Sequence, residues 1–433
     1  MPKTTSRGDG VGLRRLGGRL TLFTALPLIG LVVPLLALPV VARVGDAHNW
    51  VGLGVGQAVG ALAQTLVMWG WWAAGPTRFA TTRNRSERAS LYFESHYQRA
   101  TLAAVIVPLA AVVSLVIAPA GGRIIAVLAA VSLSANGLLP SWFFMSMGKP
   151  TGIAVYDDLP IAASVLLGTG LVVVSGLPWL YCLPQALVGF VSPVVFMAQL
   201  RRREPLARRP TWRSAIHDGI EQWPIAATNM IGSSYSAAPV PVASHIAAPG
   251  LVPLTSADKL YRFGAFAPTA LVNALQAWAF EDASRFRRRQ LFGIAAHTAL
   301  GIAGCVILTL LGPLASRILF GAALSTTWEV SLALGTAFLW LSIGTSINRL
   351  VLLPAGRSKV ILLAGVVGAV AGLATMFCLS RIASSTGVAW GLAVSEFVVV
   401  AVGAGPALRS LGQYPTGRLA GIRKTIGEAS DGD

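Results

Sequence analysis

Arg201-Arg202-Arg203-Glu204-Pro205-Leu206-Ala207-Arg208-Arg209-Pro210-Thr211-Trp212-Arg213 is the longest basic stretch in the interior of the chain, and apolar runs flank it on both sides. Of the 433 residues, 54% are hydrophobic and 12% charged, with a mean hydropathy of +0.67. A soluble domain carries about a quarter charged residues. A chain this long and this apolar cannot bury its hydrophobic residues in one or two cores, so lipid must cover much of it.

A membrane crossing needs about 20 mostly apolar residues at about 1.5 Å per residue. Before the basic stretch, such runs fall near 21–43, 51–75, 100–119, 124–147, 153–176 and 178–200. After it they fall near 219–247, 257–280, 291–315, 328–353, 358–380 and 387–408. The first follows a basic segment, as in a signal peptide, but Thr21 to Val41 has the length of a crossing and reads as an uncleaved helix. The expectation is an all-α integral membrane protein with about twelve spans.

Charge sets the orientation. Most of the 34 lysines and arginines lie in the N-terminal tail or in every second connection: 78–99, Lys149, 201–213, 285–289, Arg357 with Lys359, and 409–424. The alternate connections hold few, chiefly Arg43, Arg123, Arg317 and Arg381. Short basic loops stay cytoplasmic. Both termini are therefore expected in the cytoplasm, and the chain in the inner (cytoplasmic) membrane as a multi-pass protein. The net charge of +17 is then a topology signal, and a nucleic-acid partner is excluded.

The central basic stretch separates two expected six-helix bundles, 1–205 and 206–433, the second ending in a short basic tail. Pro39-Val40-Val41-Ala42-Arg43-Val44 and Pro241-Val242-Ala243-Ser244-His245-Ile246 end the first span of each half. Six helices return the chain to its starting side, so the halves have the parallel-repeat arrangement of many transporters.

Enzyme signatures are missing. Gly148-Lys149-Pro150-Thr151 lacks the first glycine of a phosphate-binding loop and has proline after the lysine. Ser256 and Lys259 have the SxxK spacing without its partner motifs. Cys182, Cys305 and Cys378 stand singly in apolar runs. No catalytic residue, metal or cofactor is expected. Gly52, Gly56 and Gly60, and likewise Ala364, Gly368 and Gly372, recur every four residues, which suits close helix packing in lipid.

Ionisable residues at membrane depth carry a cost of about 2.5–3.5 kcal/mol at the centre of a span. Lys259 and Arg262 are three apart and share a helical face near the outer end of span eight. Arg43 and His245 end spans one and seven on the outer side, and Arg349 lies in span ten toward the cytoplasmic end. These five are candidate contacts for an anionic ligand; the competing reading is that each snorkels to its nearest interface. Among the acids, Asp157, Asp158, Asp218 and Glu221 stand at helix N-termini, where capping explains them. Glu396, within span twelve, is the candidate coupling site.

Three stretches resemble the polysaccharide transporter family, the O-antigen and exopolysaccharide flippases of the multidrug/oligosaccharidyl-lipid/polysaccharide exporter superfamily. They are Pro34-Leu35-Leu36-Ala37-Leu38-Pro39 with Arg43-Val44-Gly45, Leu139-Pro140-Ser141-Trp142-Phe143-Phe144, and Ser256-Ala257-Asp258-Lys259-Leu260. Met145 to Lys149 and Leu251 to Leu254 depart from the family pattern. The resemblance implies a MATE-like fold, with two bundles around a central cavity and alternating access. The substrate it implies is a polyprenyl-pyrophosphate-linked oligosaccharide for cell-surface polysaccharide, and the partners a polysaccharide polymerase and glycosyltransferases. Arg43, Lys259, Arg262 and Arg349 would then neutralise pyrophosphate or acidic sugars, while Trp142 and Phe143 anchor the membrane interface. A cation- or proton-coupled drug antiporter is the nearest rival, though it calls for a more acidic cavity. A membrane-embedded glycosyltransferase would need acids on its early outer loop, where only Asp46 stands, beside His48.

Overall fold

A computed structural model describes residues 32–208, 211–213, 219, 222–280 and 283–413. The N-terminal basic segment, the first part of span one, Asp218, Glu221 and the C-terminal tail lie outside the described residues. Among the described residues every regular element is a helix. Two compact units are present, one of Met1–Ser256 with Ser316–Ser325, the other of Ala257–Ala315 with Thr326–Asp433. This partition differs from 1–205 and 206–433, and those halves remain a proposal about repeat organisation.

The first unit opens with α1 (Val32–Val44) and α2 (Ala47–Met68). Asp46 starts α2 by accepting the Asn49 N–H at 2.8 Å, which draws its carboxyl below the usual range. At the far end Trp69 turns left-handed at φ 46°, and Gly70 at φ 82° lets α3 (Trp71–Ala80) begin. Asn84 Oδ1 then caps α4 (Arg85–Ile117) by accepting the Glu87 N–H, while the Glu87 carboxylate accepts the N–H of Arg83.

After α5 (Arg123–Ala135) the chain breaks around Pro140 before the short α6 (Ser141–Ser146). The four-residue α7 (Pro150–Ile153) runs through a π turn, Ala154–Asp158, into α8 (Leu159–Ser175). α9 (Leu183–Arg203) ends on three arginines, where cations favour the helix dipole. α10 (Trp223–Ala237) and α11 (Pro239–His245) follow.

The glycine spacing works as packing. A Cβ on Gly52 would lie 2.2 Å from the Gly122 carbonyl, and one on Gly56 2.2 Å from that of Ala126. α2 and α5 therefore touch backbone to backbone, as small residues at every fourth position allow.

In the second unit lie most of α12 (Leu251–Gly264), α13 (Phe266–Phe280) and most of α14 (Phe286–Phe320). α15 (Trp328–Ser346) passes through a π turn, Ile347–Leu352, before α16 (Ser358–Ser410). At 53 residues α16 is far too long for one crossing of about 30 Å. Non-helical angles at Ala383 and Ser384 fold it back on itself. Gly368 and Gly372 then meet Ser395 and Val399 at under 3 Å from where a Cβ would sit.

Among the described residues, eight helical segments are long and apolar enough to cross a membrane. Their outward faces are apolar: Val116 is 68% exposed, Val174 89% and Leu310 70%. Water would not tolerate this surface, and lipid requires it. The chain is a multi-pass, all-α membrane protein.

Four expectations change. Span seven is broken at Pro239, which has no N–H to continue the helix. Span eight begins at Leu251 rather than near 257, so Ser256 lies inside the same helix as Lys259. Asp157 and Asp158 occupy a π turn and do not cap a helix start. Arg99, counted among loop cations, is fully buried within α4.

Candidate functional site

α12 holds Lys259 and Arg262 on one face, as their spacing requires, but Asp258 stands with them. Arg262 Nε donates to Asp258 Oδ2 at 2.6 Å, one helical turn away. That carboxylate cancels one of the two cations. Asp258 was legible in the sequence, since Asp and Arg four apart face each other on a helix. Lys259 is buried, and Arg262 remains about a third exposed.

The other expected contacts are dispersed. Arg43 is exposed at the end of α1 and donates to the Ile318 carbonyl at 3.3 Å. His245 is exposed at the end of α11. Arg349 is exposed in the π turn after α15. Glu396 is buried in the second half of α16 and has no hydrogen-bond or ion-pair partner among the described residues. Val400, one turn on, lies against Gly344 of α15, so Glu396 faces the α15–α16 contact. Among the described residues of their own unit, neither Arg349 nor Glu396 has an ion-pair partner.

In the first unit, α2, α4, α10 and α11 enclose an apolar groove of about 300 Å³. Ala58, Leu62 and Leu66 line one wall at helical spacing; Ile106, Ala110 and Val113 line another. The break at Pro239 matters here, because it brings Ala238, Pro241 and Val242 to the third wall. Polar contacts mark both ends: Thr65 and Ser233 hydroxyls lie 3.2 Å apart, and Ser244 donates to the Ile117 carbonyl at 2.8 Å. His245 follows directly after Ser244. Leu109, in the wall, is 57% exposed, so the groove opens on the lipid-facing surface. A site with this lining holds a hydrocarbon chain and offers nothing to a polar headgroup until its ends.

Around the start of α2 a hydrogen-bonded relay joins three elements. Trp50 Nε1 donates to Ser256 Oγ at 2.8 Å, and Ser256 donates to the Leu324 carbonyl at 2.5 Å. Trp50 also lies against Phe320, ring centroids 4.7 Å apart. Ser256 thus has a structural partner on each side, which accounts for it without chemistry involving Lys259.

Toward the other end of the unit, Arg99 donates to the carbonyls of Gly137 at 3.0 Å, Leu139 at 2.9 Å and Ser95 at 3.2 Å. The first two belong to the break at Pro140, which brings no N–H of its own. Trp142 and Phe143 are buried at 0% and 3% exposure, within an aromatic cluster with Trp71, Tyr92 and Phe196. Interface anchoring is therefore overturned for both. Gly75 is glycine because a Cβ there would lie 2.2 Å from the Trp142 ring.

Three solved structures place this architecture. The lipid II flippase MurJ in its inward closed conformation is 11% identical, with 89% of this chain and 87% of that one aligned at a TM-score of 0.66. The fold is that of the MATE-like transporters. A MATE protein in complex with MaL6 is 13% identical over 91% of this chain and 96% of that one, at a TM-score of 0.57. A MOP superfamily transporter from Pyrococcus furiosus, described as having a binding pocket of reversed polarity, is 14% identical over 95% and 98% at 0.52. No family model and no curated protein matches the sequence. At these identities the likeness is one of fold, and within the MATE-like fold the site must be argued from this chain's own residues.

Proposed function

We propose that this chain is a flippase that carries a polyprenyl-pyrophosphate-linked oligosaccharide across the inner membrane by alternating access, for cell-surface polysaccharide assembly. The observation that carries the reading is the lipid-facing apolar groove of the first unit, whose lining suits an isoprenoid stretch. The fold shared with a lipid II flippase supports the same reading. Arg43, His245, Lys259, Arg262 and Arg349 are the proposed contacts for pyrophosphate or acidic sugars, arginine being suited to two oxygens at once. Rocking of the repeat halves 1–205 and 206–433, cytoplasmic termini, and delivery to a polysaccharide polymerase from glycosyltransferases belong to the same proposal.

Reversal of charge tests the reading. K259E/R262E should insert and fold normally yet abolish surface polysaccharide export in cells that depend on this chain. Normal export by the folded variant would remove these residues from the substrate path. One observation favours a second reading: Glu396 is a buried acid with no partner among the described residues, which suits a proton- or cation-coupled small-molecule antiporter. Glu396 is the proposed coupling site in either case.

A further inference from the structure

On the basic side of the first unit, away from the groove described above, a second cavity of about 450 Å³ lies among the first turns of α4, the α6–α7 turn and the end of α9. Arg85, Arg88, Lys149 and Arg203 line it, against the single carboxylate Glu204. Glu204 reaches Arg85 at 3.8 Å. Arg88, Lys149 and Arg203 have no acid partner among the described residues. The buried Nε of Arg88 has no hydrogen-bond partner either, and its guanidinium is held over the Phe79 ring at 4.8 Å. The floor is rigid: Phe144 stacks on Tyr156 at 5.4 Å and meets Phe196 at 4.8 Å.

Tyr156 and Gln199, joined by a hydrogen bond from the phenol, line this cavity and also a neighbouring one. The neighbour is a groove of about 420 Å³ between α8 and α9. Its walls are apolar and exposed: Val155 is 56% exposed, Leu187 59%, Val191 54% and Val195 43%. From Gln199 back to Leu187 the groove follows α9 for about 18 Å at the helical rise. One leaflet's hydrocarbon is about 15 Å deep. A cationic cup therefore opens, past one tyrosine, into an apolar channel of acyl-chain length on the lipid-facing surface.

We propose that this compound site holds an anionic phospholipid of the adjoining leaflet. Its phosphate sits on Arg88 and Lys149, with Arg85 and Arg203 at the rim, and one acyl chain lies along Val155, Val191 and Val195. A soluble phosphate would use the cup and leave the channel unoccupied. A zwitterionic lipid would use the channel but bring a cation into an already cationic cup. Basic residues at a membrane surface select anionic headgroups by this charge difference. The site does not depend on what the chain transports.

The test uses the purified full chain in neutral detergent, with fluorescently labelled phosphatidylglycerol and phosphatidylcholine of the same chain length. Phosphatidylglycerol is expected to bind at least about tenfold more tightly, a preference that R88E/K149E removes. The charge-preserving R88K/K149R should retain it, which separates charge from folding. V191W, which fills the channel, should weaken both lipids. Millimolar inorganic phosphate or pyrophosphate should compete poorly. Equal binding of the two lipids by the wild-type chain overturns the proposal, as does indifference to V191W with full competition by phosphate, which would make the cup a soluble-anion site. Tighter binding of a polyprenyl phosphate, abolished by K259E/R262E and unaffected by R88E/K149E, would also overturn it by assigning the signal to the transport site.

Discussion

Replacing Arg99 by leucine removes the guanidinium that donates into the break at Pro140. The guanidinium donates to Gly137 and Leu139 carbonyls at 3.0 and 2.9 Å and is wholly buried. Hydrogen bonds to a charged group contribute about 1.5–3 kcal/mol each, and a buried carbonyl left without a donor loses that amount. Two carbonyls thus account for about 3–6 kcal/mol, offset in part because leucine no longer requires a buried charge. A net loss of about 2–4 kcal/mol is expected. At about 2–4 °C per kcal/mol for a unit of this size, the melting midpoint in detergent should fall by about 4–16 °C. R99K should lie between the two, since Nη1 alone reaches both carbonyls and an ammonium can replace those donors, but not the Nε bond to the Ser95 carbonyl. R88L, on the same helix but half-buried without a hydrogen bond to backbone, is the control and should melt near wild type. An R99L chain that melts with wild type would refute the reasoning, because the carbonyls would then be satisfied without Arg99.

Other consequences follow from the same geometry. G56A introduces a Cβ 2.2 Å from the Ala126 carbonyl and should cost about 1–3 kcal/mol as overpacking, whereas G170A, with nothing within 4 Å, should be neutral or stabilising by thermal melt. D258N frees Arg262 from its 2.6 Å partner; calorimetry should then record several-fold tighter pyrophosphate binding, and unchanged binding would mean the pair does not limit the site. E396Q should retain transport without a gradient and lose any stimulation by an imposed proton gradient, measured in the same vesicles; full stimulation in the variant would exclude Glu396 from coupling.

The apolar runs were enough to read an all-α, multi-pass membrane protein, because lipid punishes polar surface and unpaired backbone. The glycine repeats were equally legible, since spacing of four on a helix has one simple physical use. The errors share a cause. Arg99 looked like a loop cation because nothing local reveals that its partners are carbonyls about forty residues on, freed by a proline. Trp142 looked like an interface anchor because composition cannot tell a belt tryptophan from one buried opposite Gly75. The Asp258–Arg262 pair is legible from its spacing of four, which puts the carboxylate one helical turn before the cation and offsets its charge. The apolar groove was not legible at all. Its three walls come from segments far apart in the chain, and the third depends on a helix break at Pro239.

The most direct measurement is flipping of a lipid-pyrophosphate oligosaccharide in proteoliposomes, scored by an outside-only glycan-modifying enzyme. Beside the wild-type chain stand K259E/R262E and A110W, the latter filling the groove. Protein-dependent accessibility, lost in both variants while both remain folded, is the expected result. No transfer of several such lipids, together with export of small cationic dyes from the same vesicles, would contradict the account and leave the antiporter in its place.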